Sequence, residues 1–595
     1  MISTRHAAVS VACLSAFLAT TTARAGFGPV LNEIMAINDV TLADEDGEFS
    51  DWIEIRNSGD TAGNLNGWFL TDDAANTTRW AFPSTPLAPG ELLVVFASNK
   101  NRAIAGAELH TNFKLSGDGE YLALVPPDGI TSSSAFDPAY PQQFTDVSYG
   151  LGPDGATTGY FTEPTPGTQN GQPGRSPVAP VEFNPGSQVF TTSLQVALST
   201  PTDGTTIFYT TDGTEPSANN GTLYSVPFTV TATTGVRARA QFSDEDAGPV
   251  SRHRFVKLAP DMLSFTSPLP IVILDNFGAG PVPRRNSSTG PNGNDGSGVI
   301  QVPRQPVLMA IYERNEGRRS SPSDLPAIVS YAGLRVRGSS SASLAKKSFS
   351  LETWEDGEIE NARRIAPFGM PRESDWLLYA PTETFSGNRY DRPLLHNSFI
   401  YQLSNEIGRY AARTQFVEVF LNTGRGDLSV ADYAGIYIFM EKVKRGADRI
   451  DFNKLSQDGT DGGWMINVNR MDPLPFRGAR TPRHFHTPGP NQILQTANDS
   501  PFGVRNIDDR PEFYHSFFNF ESPGGYSINR AQREAIEGTM NAFEDALYGP
   551  DWTDPTLGYA AWIDIDNFID HFILHNLTKN QDAFVLSTWL YRSGS

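Results

Sequence analysis

The chain contains a single cysteine, Cys13, and it falls inside an apolar leader. Arg5 and His6 precede a short apolar run from Ala7 to Ala19, and Ala23-Arg24-Ala25 forms a small-x-small cleavage pattern ahead of Gly26. The run is shorter than the roughly 20 apolar residues that span a bilayer, and no later segment reads as transmembrane. Ser10 and the brevity of the run before Cys13 argue against lipidation there. The expectation is a secreted, periplasmic or cell-surface chain, cleaved near Ala25. Its mature part has no cysteine, so no disulfide can staple a small fold. Each module must therefore bury a core of its own.

At about 150 residues per domain, 595 residues leave room for three or four such modules. Charged residues are only 19%, against 53 Gly and 43 Pro, a balance that favours β-sandwiches with long loops over helical bundles. The formal charge of −21 excludes a general nucleic-acid binder, because phosphates would be repelled. The acid is uneven: residues 1–257 hold 13 Lys and Arg against 27 Asp and Glu, and residues 258–595 hold 33 against 40. Local basic sites are thus to be sought in the second half.

Residues 29–150 read as short strands divided by turns, among them 30–35, 51–55, 67–70, 92–97 and 121–125. Period 2 puts Ile53 and Ile55 on one face and Trp52 with Glu54 on the other. Trp52 and Trp68 read as sandwich packing rather than sugar platforms. Asp44-Glu45-Asp46-Gly47-Glu48 lacks EF-hand spacing and reads as a solvated acidic turn rather than a calcium loop. A Gly, Pro and Thr-rich linker at 151–180 leads to further strands at 188–190, 193–198, 206–210 and 236–240. Residues 259–268 read as a second linker, and 286–297 as a mobile polar insertion.

The remainder mixes strands and helices. A buried strand is expected over 269–274. One helix starts near Asp391 and buries Leu395, Phe399, Leu403 and Ile407. A second starts at Asn529, with Gln532 completing a capping box, and buries Ile536, Met540, Phe543 and Leu547. A third begins near Asp564 or Asp566 and buries Ile569, Phe572, Ile573 and Leu577.

Three constellations carry possible chemistry. Arg337-Gly338-Ser339-Ser340-Ser341, followed by Lys346-Lys347, reads as strand, small-residue loop, strand. Its N–H groups and hydroxyls can wrap phosphate oxygens, although residue types alone favour a flexible hairpin with solvated cations. Glu441 ends an apolar strand. It pairs with Lys347, meets a nucleotide, or simply takes a nearby basic partner. Asp582 follows the third helix with Ser587 five residues on, a spacing suited to accepting a hydroxyl proton or binding a metal, or to a plain capped turn. His484 and His486 could bind a metal through alternate positions on a strand, but with no third ligand evident they read as a surface loop.

Three resemblances organise these motifs. Asn32-Glu33-Ile34, Asp51-Trp52-Ile53-Glu54-Ile55, Gly67-Trp68 with Leu70 and Asp72, and LSGDGE at 115–120 together resemble a lamin-tail domain, an immunoglobulin-like sandwich, over 26–172. FYTTDGTEPS at 208–217 resembles the small sandwich appended to chitobiases and β-hexosaminidases, over 173–258. LRVRGSSS (334–341) with KKSFSLE (346–352), DWLLYAP (375–381) with DRPLLHN (391–397), VEVFLN (417–422) with YAGIYIFMEKVKR (433–445), and NQDAF (580–584) with WLYR (589–592) resemble the spore-coat protein H (CotH) kinase family. This resemblance covers 259–595 and implies an α+β, atypical protein-kinase-like domain that uses ATP and Mg²⁺ on protein Ser or Thr hydroxyls. It implies that Arg337, Gly338, Ser339, Ser340, Ser341 and Lys346 hold phosphates, and that Lys347 contacts the α/β-phosphates. Glu441 falls on the family's Tyr-x-x-x-Glu strand, Asp582 is the catalytic-loop aspartate and metal ligand, and Ser587 takes a metal position usually held by Asn. Family members continue with a Trp-Asp-x-Asp segment, so a chain ending at Ser595 is expected to be a fragment. The expected partners are a secreted or envelope protein substrate and, through the sandwiches, polysaccharide. The rival expectation is a non-catalytic surface or adhesion protein, and a weaker one is an accessory factor in polysaccharide breakdown.

Overall fold

A computed structural model describes residues 26–243, 246–284, 303–314, 317–338, 341–357, 359–385, 388–389, 391–468, 484–486, 517–524, 527–580 and 587–594. The leader with Cys13 and the 286–297 insertion lie outside these residues. Two compact units form. One runs to Ala179 and takes in Pro201–Thr205 and Phe242–Gly248; the other comprises Pro180–Thr200, Thr206–Gln241 and everything from Pro249.

The first unit is a sandwich of a six-stranded and a four-stranded sheet. Asp51–Asn57 lies centrally in the larger sheet, antiparallel to both Pro29–Met35 and Leu92–Ala97. Ile53 and Ile55 enter the core with Leu31, Leu70, Trp80 and Leu124, as alternation requires. The opposite face is covered too. Trp52 packs on Met35 and Phe96, and Trp68 packs on the main core with its ring edge-on to Phe27. The Glu54 carboxyl is buried, accepting from Asn32 Nδ2 (2.6 Å) and Gly167 N (2.6 Å). Burial outweighs these bonds and lifts Glu54 to about 7.

The second unit opens with a sandwich of three-stranded and five-stranded sheets. A closed barrel of seven strands follows: β1 (Ile271–Asp275), β2 (Gln305–Tyr312), β3 (Ile328–Arg337), β4 (Ser348–Trp354), β5 (Asp375–Tyr379), β6 (Thr414–Asn422) and β7 (Tyr433–Glu441). Closure comes from β1 pairing in parallel with β6, while the remaining pairs are antiparallel. Alternate residues fill the interior: Val272 and Leu274, Met309, Leu334, Leu351, Trp376, Val419, Tyr437 and Phe439. The intervening residues Ile271, Ile273, Leu308, Ala310, Tyr331 and Phe420 point outward into a second core with Val256, Leu258 and Met262.

That second core corrects the reading of 259–268 as a linker. Met262 is fully buried in a 3₁₀ turn, and Ser267 is buried beside it in sequence. The last strand of the sandwich, Ser251–Lys257, feeds the same core. Arg254 stacks on Phe277 (4.7 Å) and donates to the Pro306 carbonyl (3.0 Å), and His253 meets Asp356 at 3.1 Å. Sandwich and barrel share this core: Met262 and Ser267 are buried within the connection, while Pro260, Asp261, Ser264, Thr266 and Pro268 stay exposed.

Helix α1 (His396–Glu406) begins five residues later than expected, because Asp391 accepts from the N–H groups of Leu395 and His396 and holds the turn before it. Its predicted apolar stripe is not buried: Leu395, Phe399 and Ile407 are exposed, while Ser398 and Ile400 turn inward. Beyond the barrel, β8 (Trp464–Val468), β9 (His484–His486), β10 (Phe517–Ser522) and β11 (Thr588–Arg592) form a four-stranded sheet in the order β9-β10-β8-β11. His484 and His486 thus lie on a strand rather than in a loop, because β9 pairs with β10. Helix α2 (Arg530–Tyr548) has the expected capping box, Asn529 with Gln532, and buries Ile536 and Met540 against β8 and β10. Helix α3 (Ile565–Thr578) is capped by Asp564. Of its residues only Leu574 is buried; Ile569, Phe572, Ile573 and Leu577 are exposed, contrary to the sequence expectation. An apolar stripe states that a face can be buried, not that a partner lies within the described residues. No helix of those residues is long and apolar enough to cross a membrane.

Candidate functional site

The Gly338 region joins β3 to β4 at one mouth of the barrel. Arg337 pairs with Ser348 as the last register of that hairpin and is exposed. Gly338 has φ +101°, and a Cβ there would lie 2.1 Å from the Ser341 hydroxyl. The positive φ favours glycine, and a Cβ would also require the Ser341 hydroxyl to move. Ser341–Ser343 then forms a 3₁₀ turn. Ser339 and Ser340 lie outside the described residues. Gly338, the Ser341 hydroxyl and the sequence neighbours Arg337, Lys346 and Lys347 are residue types able to bind phosphate oxygens.

Both lysines are engaged. The Lys347 ammonium donates to the carbonyls of Ala342 (3.1 Å) and Leu344, tightening its own loop. Lys346 donates to the Ile436 carbonyl and lies over the Tyr437 ring at 4.5 Å. Burial draws Lys346 below the ordinary lysine value, with Glu418 opposing the shift. These carbonyls are acceptors of the kind that phosphate oxygens replace.

Glu441 stands elsewhere. Register aligns Ser348 with Tyr379 and Ile438, by way of Phe349–Leu378–Phe439, and aligns Leu351 with Trp376 and Glu441. Lys347 therefore lies about four residues from Glu441 along the strands, roughly 13 Å at 3.3 Å per residue. The two do not pair. The Glu441 carboxylate is fully buried and accepts from Arg413 Nη1 (2.9 Å), Arg413 N (3.0 Å) and Tyr410 Oη (3.4 Å), with Arg449 Nη2 at 3.4 Å. Burial first, and the Glu441 charge second, push the Tyr410 phenol upward.

This cluster extends along β5. Arg449 reaches Glu373 at 2.6 Å, and Lys444 bridges Glu373 (2.7 Å) and Asp375 (3.1 Å). Burial opposes the Glu373 charge. The Lys444 hydrogen bond, the Ser374 N–H and the nearby cationic charges overcome it and hold Glu373 at about 2. Sequence reading missed Glu373, Arg413 and Arg449. The available signal was the run Lys442, Lys444, Arg445, Arg449 just after a strand-end acid, since a buried carboxylate demands cations. An open depression of about 360 Å³, lined by Gln402, Asn405, Glu406, Ala412, Arg413 and Thr414, adjoins the cluster through Arg413.

Asp582 lies outside the described residues, but both flanks of its segment are defined. Helix α3 ends at Lys579 in left-handed backbone (φ 51°), and β11 is entered through Ser587, also left-handed (φ 57°). Each costs about 1 kcal/mol or more for a residue with a Cβ. β11 pairs with β8 from Trp464–Arg592 to Val468–Thr588 and so holds Ser587 at the sheet's end.

Fold and site together define a modular chain: a β-sandwich unit, and a second sandwich joined to a closed barrel with an α+β extension. Comparison with known families names the parts. Residues 29–135 match the Lamin Tail Domain, 185–251 the Chitobiase/beta-hexosaminidase C-terminal domain, and 334–595 the CotH kinase protein family. The chain thus carries a kinase-like region of CotH type behind two accessory sandwiches. The match begins inside β3, whereas the barrel begins at Ile271. No curated protein matches the chain.

Proposed function

We propose that the protein is an exported kinase that transfers the γ-phosphoryl group of ATP to Ser or Thr hydroxyls of secreted or envelope proteins. The observation that carries this reading is the positive φ of Gly338 and its close approach to the Ser341 hydroxyl, with Arg337, Lys346 and Lys347 nearby in sequence within the CotH-matching segment. Arg337 and Lys347 neutralise phosphate charge, and the Gly338 and Ser341 donors fix its orientation. Lys347 exchanges its loop carbonyls for phosphate oxygens, so binding costs it few hydrogen bonds. Mg²⁺, held by Asp582 and Ser587, would supply further charge neutralisation. Asp582 takes the proton of the acceptor hydroxyl as that oxygen bonds to phosphorus and ADP leaves. Glu441 acts as a positioning residue: held by Arg413 and Arg449, it anchors the end of β7.

One observation favours a second reading, a non-catalytic surface protein that binds polysaccharide through its sandwiches: the ammonium groups of Lys346 and Lys347 are satisfied by protein carbonyls. Label transfer from γ-labelled ATP and thermal stabilisation by Mg-ATP decide between them. Transfer that vanishes in Asp582→Asn, with binding lost in Lys347→Met, supports the kinase. Saturable glycan-array binding with neither nucleotide effect supports the second reading.

A further inference from the structure

The first unit contains a cluster that neither sandwich packing nor phosphoryl transfer uses. His110 lies in the edge strand Leu109–His110, paired with Leu92–Ala97. Its side chain is fully enclosed. The ring stacks on Phe96 (centroids 5.3 Å apart, planes at 23°), and Nδ1 is 2.9 Å from the Ser98 hydroxyl. Backbone bonds in both directions with Arg102 fix the strand end. Nε2 is buried and has no hydrogen-bond partner. It points toward Glu45, whose Oε1 is 3.9 Å away. An orphaned buried imidazole nitrogen is unfavourable unless something fills the gap.

Glu45 and Glu108 complete the surroundings. One ligand atom from each, with one from His110, lie within 4.8 Å of one another. The Glu45 N–H donates to Glu108 at 2.7 Å, which draws the two carboxylates together despite their like charge. The adjoining loop already shows its taste for cations. Lys100 inserts its ammonium between Asp44 (2.5 Å), Asp46 (2.7 Å) and Glu48 (3.2 Å), where the sequence alone raised calcium. Arg102 holds Glu45 Oε1 at 2.7 Å and Asp46 at 2.8 Å. Five carboxylates, those of Asp44, Glu45, Asp46, Glu48 and Glu108, thus face two cations, and the excess is negative. The exposed Arg102–Glu45 pair is of a kind worth about 1 kcal/mol or less, so an ion can share or displace it.

We propose that Glu45, Glu108 and His110 form a binding site for a divalent transition-metal ion, with Zn²⁺ the best fit. One imidazole nitrogen with two carboxylate oxygens favours a borderline ion over Ca²⁺ or Mg²⁺. The tautomer that donates Nδ1–H to the Ser98 oxygen leaves the Nε2 lone pair for the ion, as an orienting outer partner does in metal sites. The ion ties the 44–48 loop to the Leu109–His110 edge, a cross-link available to a unit without disulfides.

Isothermal titration of the full chain with ZnCl₂ near neutral pH tests this. The expected result is one saturable site that Glu45→Gln and Glu108→Gln, both surface changes that leave the core intact, each weaken about tenfold or more. Ser98→Ala weakens it about tenfold through loss of ring orientation, and millimolar Ca²⁺ does not displace the ion. Absence of saturable Zn²⁺ binding, undiminished binding in the double Glu45→Gln, Glu108→Gln variant, or displacement by Ca²⁺ overturns the proposal.

Discussion

Replacing Glu373 by Gln tests whether the buried charge cluster holds β5 and β7 in place. The Glu373 carboxylate, 2% exposed, binds Lys444 and Arg449, and Arg449 in turn reaches Glu441. Glu373 is held at about 2, against an ordinary 4.5. At about 1.4 kcal/mol per pH unit, that depression corresponds to about 3 kcal/mol of stability at neutral pH. Deletion of one partner from a buried pair gives an independent figure of about 3–5 kcal/mol, because the Arg449 side chain is only 4% exposed and keeps its charge. The sign follows from the depressed value: the contribution is complete above pH 4.5 and is lost as pH falls through 2. Hydrogen exchange of amides in Asp375–Tyr379 and Tyr433–Glu441 reads the local opening free energy without averaging over the other modules. Glu373→Gln should speed exchange there about 100-fold at pH 7 and only about tenfold at pH 3, as linkage requires. An acceleration below fivefold at pH 7, or one that does not shrink with acid, would refute the reasoning.

Glu54 predicts the opposite pH dependence. Its carboxyl is raised to about 7, so its charge destabilises the first unit as pH rises from 4.5 through 7. Glu54→Gln should therefore stabilise that unit by about 3 kcal/mol at pH 8 in urea unfolding, with no gain at pH 4. Met262→Ala should cost about 2–4 kcal/mol by opening a cavity between sandwich and barrel, seen as faster exchange in both Ser251–Lys257 and β1. Gly338→Ala should disturb the loop through both its φ and the Ser341 hydroxyl; chemical-shift changes confined to 336–348 and weaker Mg-ATP binding are the expected outcomes.

Strand positions were legible because alternation and turn residues act locally: Leu92–Ala97, Gln188–Phe190 and Thr206–Thr210 lie where the pattern put them. The α2 cap was legible for the same reason, since Asn529 and Gln532 meet across three residues. The helix faces were not. Phe399 and Ile573 have the right spacing, yet whether a stripe is covered depends on chain distant in sequence. The 259–268 segment looked like a spacer because its prolines and serines hide one decisive residue, Met262. The loop around Gly338 was visible as chemistry, but the Glu441 cluster was not, because Glu373, Arg413 and Arg449 come together only when β5, β6 and β7 close the barrel. His110 was invisible for a similar reason: its significance lies in an unpartnered nitrogen, which no sequence displays.

The central claim is that the Gly338 loop receives the phosphates of ATP for transfer at Asp582. Titrating the full chain with ATP, with and without Mg²⁺, while following thermal stability and transfer of the γ-label to a Ser/Thr substrate, tests it most directly. Mg²⁺-dependent stabilisation by ATP that Lys347→Met weakens at least tenfold is expected, with label transfer that Asp582→Asn abolishes while nucleotide binding persists. An unchanged melting profile at millimolar Mg-ATP, or transfer that is indifferent to both substitutions, would contradict it.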